Sequence, residues 1–363
     1  MIRTVEQIIM SYAIRYTKLS ELISKEFSNS EYANSDKVNI FIDINKICRS
    51  ISQDNALAYT EDSFAICAGF LNLCAHYKSF FRSGYNVSTK IFLVYSDKTY
   101  FFNNRQIKDY MYYGSKVPDI KVVQDNLDLL SIITKYIPNV YFISTPYEIC
   151  PIMKLVLTND IVHESHSLNM KTPNIFITKD PYNWQTVNFD DFTVLCPVKY
   201  KGEDRSYSIN RNNIYSSYLH IRNCDESKLQ YNLDSGLYGL LLALTRVPER
   251  NIHSLVSIPK GLKVICNAIQ KQYIPNGYFT PIPDALNMTL FDDIAKDFNI
   301  NGYELRARLF AIDVISQYKF VVFNPTKSYS EDLVDMYDPK GIEEIDNKYF
   351  QKSKVDFGSL MTI

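Results

Sequence analysis

The clearest strand signal in the sequence is Val38-Asn39-Ile40-Phe41-Ile42-Asp43. Four of its six residues are apolar, and all four are β-branched or aromatic. A short run of this kind, preceded by a polar stretch and closed by an acid, is typical of a strand buried on both faces of a parallel sheet. We therefore predict a buried parallel strand that ends at Asp43.

Similar apolar runs follow along the chain, with segments of helical periodicity between them. The predicted strands lie at 90–95, 139–143, 174–178 and 192–196. The predicted helices of this part lie at 4–27, 55–82, 124–136 and 147–157. Strands that alternate with helices predict an α/β fold, in which a mostly parallel sheet is flanked by helices on both faces.

After about residue 205 the strand signal fades, and a helical extension is predicted. Its helices lie at 233–245, 261–272, 287–298, 302–318 and 341–351, with one strand at 320–323. The chain therefore divides into an N-terminal helix and linker (1–37), an α/β core (38–204) and a helical region (205–363).

Composition favours an intracellular globular protein. Apolar residues make up 46% and charged residues 22%, which is the balance of a folded chain. The seven cysteines lie mostly in apolar runs without a CxxC pair, which favours reduced thiols in a cytoplasmic setting. No stretch of about 18 apolar residues is present, so no membrane association is expected. The net charge of −1 means that any phosphate-binding surface must be a local patch.

Four acids follow successive predicted strands. Asp43 closes the first, Asp97 follows the second, Glu148 begins the helix after the third, and Asp180 follows the fourth. The carboxyl ends of parallel strands open into one crevice, so these carboxylates are expected to converge. Converging carboxylates repel each other unless cations lie between them, and hard oxygen ligands suit Mg²⁺ or Mn²⁺. The alternative for each acid is a structural role as a helix cap or turn former.

The order of these pieces resembles the phage ribonuclease H and flap endonuclease family of 5′ nucleases, which are related to PIN domains. The strand ending at Asp43 is similar to the family's opening strand and aspartate, and residues 91–97 to its second. Tyr147-Glu148 and Thr178-Lys179-Asp180 resemble two further acidic motifs of the family. The resemblance implies a PIN-like fold and divalent-metal-dependent cleavage of branched or single-stranded DNA or RNA.

The chain also departs from the family's pattern. The family holds two metals with paired acids, whereas Cys150 and Tyr182 stand where partners of Glu148 and Asp180 are expected. Arg246 and Arg250 stand where the family has further acids. Four carboxylates can hold one hydrated ion but not easily two. These departures predict a degraded metal site with weak or lost cleavage.

Two basic segments are candidates for nucleic-acid contact. In 98–116, basic side chains alternate with tyrosines, a mixture suited to a single strand; the candidates are Arg105, Lys108, Tyr110, Tyr112 and Lys116. In 258–263, Lys260, Gly261 and Lys263 resemble the hairpin of the family's helix–three-turn–helix, where backbone amides at a glycine turn suit phosphates. The alternative for the first segment is a solvated helix face with tyrosines on its inner side.

Three hypotheses remain open on these grounds. The first is a nucleic-acid-binding pseudoenzyme that keeps the 5′-nuclease fold. The second is an active Mg²⁺-dependent nuclease with a minimal site of Asp43, Asp97, Glu148 and Asp180. The third is a phage or viral structural or interaction protein, virion-associated or not, that uses the fold as a scaffold for protein partners.

Overall fold

The structure is a computed structural model, and it describes residues 36–45, 47, 65–96, 120–145, 172–188, 192–200, 203–225, 227, 233–246, 254–273, 285–302 and 305. Several predicted elements lie outside these residues: the helices at 4–27, 147–157 and 341–351, nearly all of the helix at 302–318, and the strand at 320–323.

Six strands form one sheet. In chain order, β1 to β6 span Lys37–Asp43, Ser88–Ser96, Val140–Thr145, Asn174–Ile177, Phe192–Tyr200 and Glu203–Ile209. Their order across the sheet is β3-β2-β1-β4-β5-β6. The first five strands pair in parallel, and only β6 runs antiparallel, against β5. The predicted α/β class with a mostly parallel sheet is confirmed.

The strand order reverses in the middle of the sheet. The chain builds outward from β1 through β2 to β3 and then returns to place β4 on the other side of β1. In open α/β sheets such a reversal leaves a crevice beyond the carboxyl ends of the two central strands, and ligands bind there. A ligand site is therefore expected at the carboxyl ends of β1 and β4.

Both faces of the sheet are buried, which explains the nearly continuous apolar runs in its strands. One face carries Ile40, Ile42 and Leu93 and packs against two helices, α1 (Ala65–Tyr85) and α2 (Ile120–Ile133). The other face carries aromatic side chains at corresponding positions of neighbouring strands; they are Tyr141, Phe92, Phe41 and Phe176.

The aromatic face is covered by segments from the second half of the chain. They are a 3-10 segment (Pro181–Asn188) and four helices, α3 (Ile214–Ile221), α4 (Tyr238–Leu244), α5 (Ile258–Gln270) and α6 (Ala285–Phe298). The predicted helices at 233–245, 261–272 and 287–298 are confirmed. Strand β6, α3 and the 3-10 segment were not predicted, and the boundary expected between 204 and 205 falls inside β6.

The described cysteines are free thiols. Cys67, Cys74, Cys196 and Cys266 are buried and Cys224 is partly buried. Burial raises the pKa of the Cys74 thiol to about 12, so at neutral pH it behaves as an apolar core group. None of the described helices is long and apolar enough to cross a membrane.

Candidate functional site

The ends of β1 and β4 bring Asp43 beside Thr178. Ile42 pairs with Ile177 in the parallel register, so the next position along each strand places Asp43 next to Thr178. The Thr178 hydroxyl donates a hydrogen bond to Oδ2 of Asp43 at 2.7 Å. Neither side chain has any exposed surface. The register of the two central strands thus creates the first contact of the site.

Asp180 directly precedes the 3-10 segment Pro181–Asn188. Its backbone amide donates to the Thr178 hydroxyl at 3.1 Å, and its Oδ1 accepts from the amide of Tyr182 at 3.1 Å. Its carbonyl accepts from the amide of Asn183 at 2.9 Å. Asp180 therefore fills the capping role that the sequence left open as an alternative. Thr178 connects this cap to Asp43.

Asn183, in the 3-10 segment, also bonds to the Asp43 carboxylate. Its Nδ2 donates to Oδ2 of Asp43 at 2.9 Å and lies 3.4 Å from Oγ1 of Thr178. Only 2% of Asn183 is exposed. Asn183 and Thr178 were not predicted as site residues, because an uncharged polar side chain after a strand does not by itself indicate a site. The signal available in the sequence was the run of polar residues Thr178-Lys179-Asp180 and Asn183 directly after a buried strand.

Two of the four predicted acids, Asp43 and Asp180, are connected through the Thr178 hydroxyl, which bonds the Asp43 carboxylate and the Asp180 backbone amide. The other two, Asp97 and Glu148, lie outside the described residues. Within the part of the chain that the structure describes, no three His, Cys, Asp or Glu side chains come together in a group that could hold a metal ion. The four-acid cluster therefore stays a prediction.

Asp43 and Asp180 offer too few oxygen ligands for more than one hydrated cation. Two donors already occupy Oδ2 of Asp43, and a carboxylate oxygen has about two lone-pair sites. Mg²⁺ commonly uses one or two carboxylates and completes its shell with water, so two carboxylates suffice for no more than one ion. Two ions need more oxygen ligands than this pair supplies.

The basic candidates fall into two groups. Arg105, Lys108, Tyr110, Tyr112 and Lys116 lie outside the described residues. Lys260 and Lys263 are exposed in the first turns of α5, and their spacing of three residues places them on one helix face. They remain candidates for phosphate contact.

The glycine turn expected at Lys260-Gly261 is wrong, because these residues are helical. Ser257 precedes α5, Pro259 lies in its first turn, and the Gly261 amide donates to the Ser257 carbonyl at 2.8 Å. Gly261 is buried against α4, so its amide is committed to the helix and not to a phosphate. A Cβ at Gly261 would lie 2.9 Å from Cγ2 of Thr245 and 3.2 Å from Cδ1 of Leu241. Glycine therefore permits close packing of α4 and α5.

We expect Gly261→Ala to lower the free energy of unfolding by about 1–2 kcal/mol. Crowding a packed core costs about 1–3 kcal/mol, against a gain of up to about 1 kcal/mol in helix propensity. Thr245 cannot turn aside easily, because its hydroxyl donates to the Leu241 carbonyl at 2.7 Å. Urea unfolding followed through the single tryptophan, Trp184, measures the change.

Gly84→Ala is the matched control. Gly84 also lies in a helix, but nothing lies within 4 Å of a Cβ built there. This substitution is expected to stabilise the protein by up to about 1 kcal/mol. Equal effects of the two substitutions would contradict the close approach of α4 and α5.

No protein-family model matches the chain, and no curated protein matches it.

Proposed function

We propose that this chain is a nucleic-acid-binding protein of 5′-nuclease-like fold whose metal-dependent cleavage is weak or lost. The observation that carries the proposal is the Asp43 carboxylate at the reversal point of the sheet. It lies where a ligand site belongs in an α/β sheet, but neutral donors from Thr178 and Asn183 hold one of its oxygens.

The energetics of burial support the weak or lost cleavage. A buried carboxylate is unstable unless hydrogen bonds or a cation compensate it. Here a hydroxyl and an amide provide hydrogen bonds of this kind to Oδ2 of Asp43. Two-metal phosphodiester cleavage needs enough charged ligands to bind both ions. Asp43 and Asp180 supply two of them.

The exposed lysines of α5 support the binding half of the proposal. Lys260 and Lys263 project from one helix face in a chain whose net charge is only −1. Contacts of this kind bind phosphates without reading sequence, and they release counterions when they form. Affinity is therefore expected to fall steeply as salt rises.

An active nuclease with a minimal site is the second candidate. It is favoured by the presence of two buried acids at the carboxyl ends of β1 and β4, which fit one hydrated Mg²⁺ or Mn²⁺. Asp43 and Asp180 would hold the ion, which would activate water for attack on a phosphodiester. The proposed binding protein and this enzyme differ in cleavage, not in the expected nucleic-acid affinity.

The deciding experiment incubates 5′-labelled forked or flapped DNA with the protein and Mg²⁺ or Mn²⁺. Asp180→Asn is the control, because asparagine keeps the oxygen that caps the 3-10 segment and removes the charge. Salt-sensitive binding without products supports the proposal. Metal-dependent products that disappear in the control would favour the minimal-site enzyme. The absence of both binding and products would favour a scaffold for protein partners.

Single lysine substitutions test the binding surface. We expect Lys260→Ala and Lys263→Ala each to weaken DNA binding and to reduce the slope of log affinity against log salt by about one. Arg82→Ala removes the same charge from an exposed position on α1, across the sheet, and should leave the slope unchanged. The slope is measured by fluorescence anisotropy over a series of salt concentrations. Equal slopes for all three variants would exclude α5 from the interface.

A further inference from the structure

Arg246 lies just after α4, and backbone hydrogen bonds fix it near the start of α5. Its carbonyl accepts from the Tyr218 hydroxyl at 3.2 Å. The Leu244 carbonyl accepts from the amides of Leu255 at 3.1 Å and Val256 at 3.0 Å, so the approach to α5 is tied to the end of α4. The side chain of Arg246 is exposed. The backbone therefore holds an exposed guanidinium at the junction of the two helices.

Lys260 lies close to Arg246, because their chain neighbours pack together. Cγ2 of Thr245 lies 2.9 Å from a Cβ built at Gly261. Consecutive Cα atoms are about 3.8 Å apart, so the Cα atoms of Arg246 and Lys260 are separated by no more than roughly 15 Å. Both side chains are exposed. About four nucleotides of one strand, at about 3.4 Å each, span that distance.

Lys271 is a further exposed cation on the same face of α5. It follows Lys260 by about three helical turns, or about 16 Å along the axis. However, its Nζ lies 2.5 Å from Oδ2 of Asp297 on α6, and the Tyr273 hydroxyl donates to the same oxygen at 3.1 Å. A phosphate at Lys271 would therefore meet the like charge of the Asp297 carboxylate.

We propose that Arg246 joins Lys260 and Lys263 as a third contact for nucleic-acid phosphates. Lys271 is excluded from this surface, although it lies on the same helix face. The inference rests on the proposed function, since it names the contacts that hold the nucleic-acid backbone. Salt-dependent affinity comes from counterions released when cationic side chains neutralise phosphates. None of the three contacts forms an ion pair with an acid in the described part of the chain, whereas Asp297 already neutralises Lys271.

Arg246→Ala and Lys271→Ala test the proposal, because each removes one exposed positive charge near α5. Arg246→Ala should reduce the slope of log affinity against log salt by about one, as Lys260→Ala does, whereas Lys271→Ala should leave the slope unchanged. Arg246→Lys keeps the charge and should keep the slope. Fluorescence anisotropy over a salt series, with single-stranded and duplex DNA of the same length, measures each variant beside the wild type.

Thermal unfolding separates the loss of a contact from structural damage. The bond from Tyr218 goes to the backbone of Arg246, so Arg246→Ala should unfold at the wild-type temperature. Should it unfold at a lower temperature, Arg246→Gln, which keeps most of the side chain and removes the charge, takes its place in the binding measurement.

A reduced slope on either form of DNA supports the proposal and shows which form this surface binds. An unchanged slope for the folded Arg246 variant, beside a reduced slope for Lys260→Ala, would overturn the proposal and leave the proposed function standing. An equal reduction for Lys271→Ala would overturn the exclusion of that residue. If the wild type shows no salt-dependent binding to either DNA, the proposal and the proposed function both fail.

Discussion

Asp43→Ala is expected to lower the free energy of unfolding by about 2–4 kcal/mol. The substitution removes the acceptor of the Thr178 hydroxyl and of the Asn183 amide, and both donors are buried. A buried donor that loses its partner costs about 1–3 kcal/mol. Chemical denaturation followed through Trp184 measures the change.

Asp43→Asn provides the graded comparison. Asparagine keeps an oxygen that can accept from one of the two donors, so its loss of stability should be smaller than that of Asp43→Ala. Asp128→Ala, at an exposed position on α2, should change stability by no more than about 0.5 kcal/mol. If Asp43→Ala were as mild as Asp128→Ala, the hydrogen-bond network would have no energetic role.

The proposed function adds a second expectation for Asp43→Asn. Because the proposed DNA contacts lie on α5 and not at Asp43, the affinity of the folded variant for DNA should equal that of the wild type. A large loss of affinity on this substitution would place the nucleic acid at the carboxyl ends of the strands. That result would count against the separation of binding from the metal site.

The central strands could be predicted because both of their faces are buried. The run that ends at Asp43 is apolar at nearly every position, and each side of it packs against a different layer of helices. Strand β6 was not predicted because it lacks such an apolar run. Its sequence, Glu-Asp-Arg-Ser-Tyr-Ser-Ile, is mostly polar, as is common for edge strands, and backbone bonds to β5 define it.

The site could be predicted only in part from the sequence. Acids after strands predicted that Asp43 and Asp180 would lie at the same end of the sheet. Their link through Thr178 depends on β1 and β4 being neighbours, which local patterns do not encode. Asn183 and Thr178 carry no charge, and the polar run that contains them does not by itself show that both bond to Asp43. Gly261 suits a turn and a close helix contact equally well, and only its tertiary neighbours Thr245 and Leu241 show that the close contact applies here.

Phe41→Ala is expected to have the largest effect on stability, a loss of about 3–5 kcal/mol. Phe41 is fully buried in the strand at the centre of the sheet. Its ring stacks on Phe92 with centroids 4.7 Å apart and lies 5.8 Å from that of Phe192. Truncation of a core phenylalanine leaves a cavity whose neighbours relax only in part, and the aromatic pairs add to the loss. Domains are stable by only about 5–15 kcal/mol, so a large fraction of this protein would unfold.

The matched control for Phe41→Ala is Tyr136→Ala, which removes an aromatic ring that is 80% exposed. It should change the free energy of unfolding by no more than about 0.5 kcal/mol. Phe41→Leu keeps most of the volume and should lie between the two. A loss below about 1 kcal/mol for Phe41→Ala would mean that 37–43 is not the central strand. The placement of Asp43 beside Thr178, on which the proposed site depends, would then be lost as well.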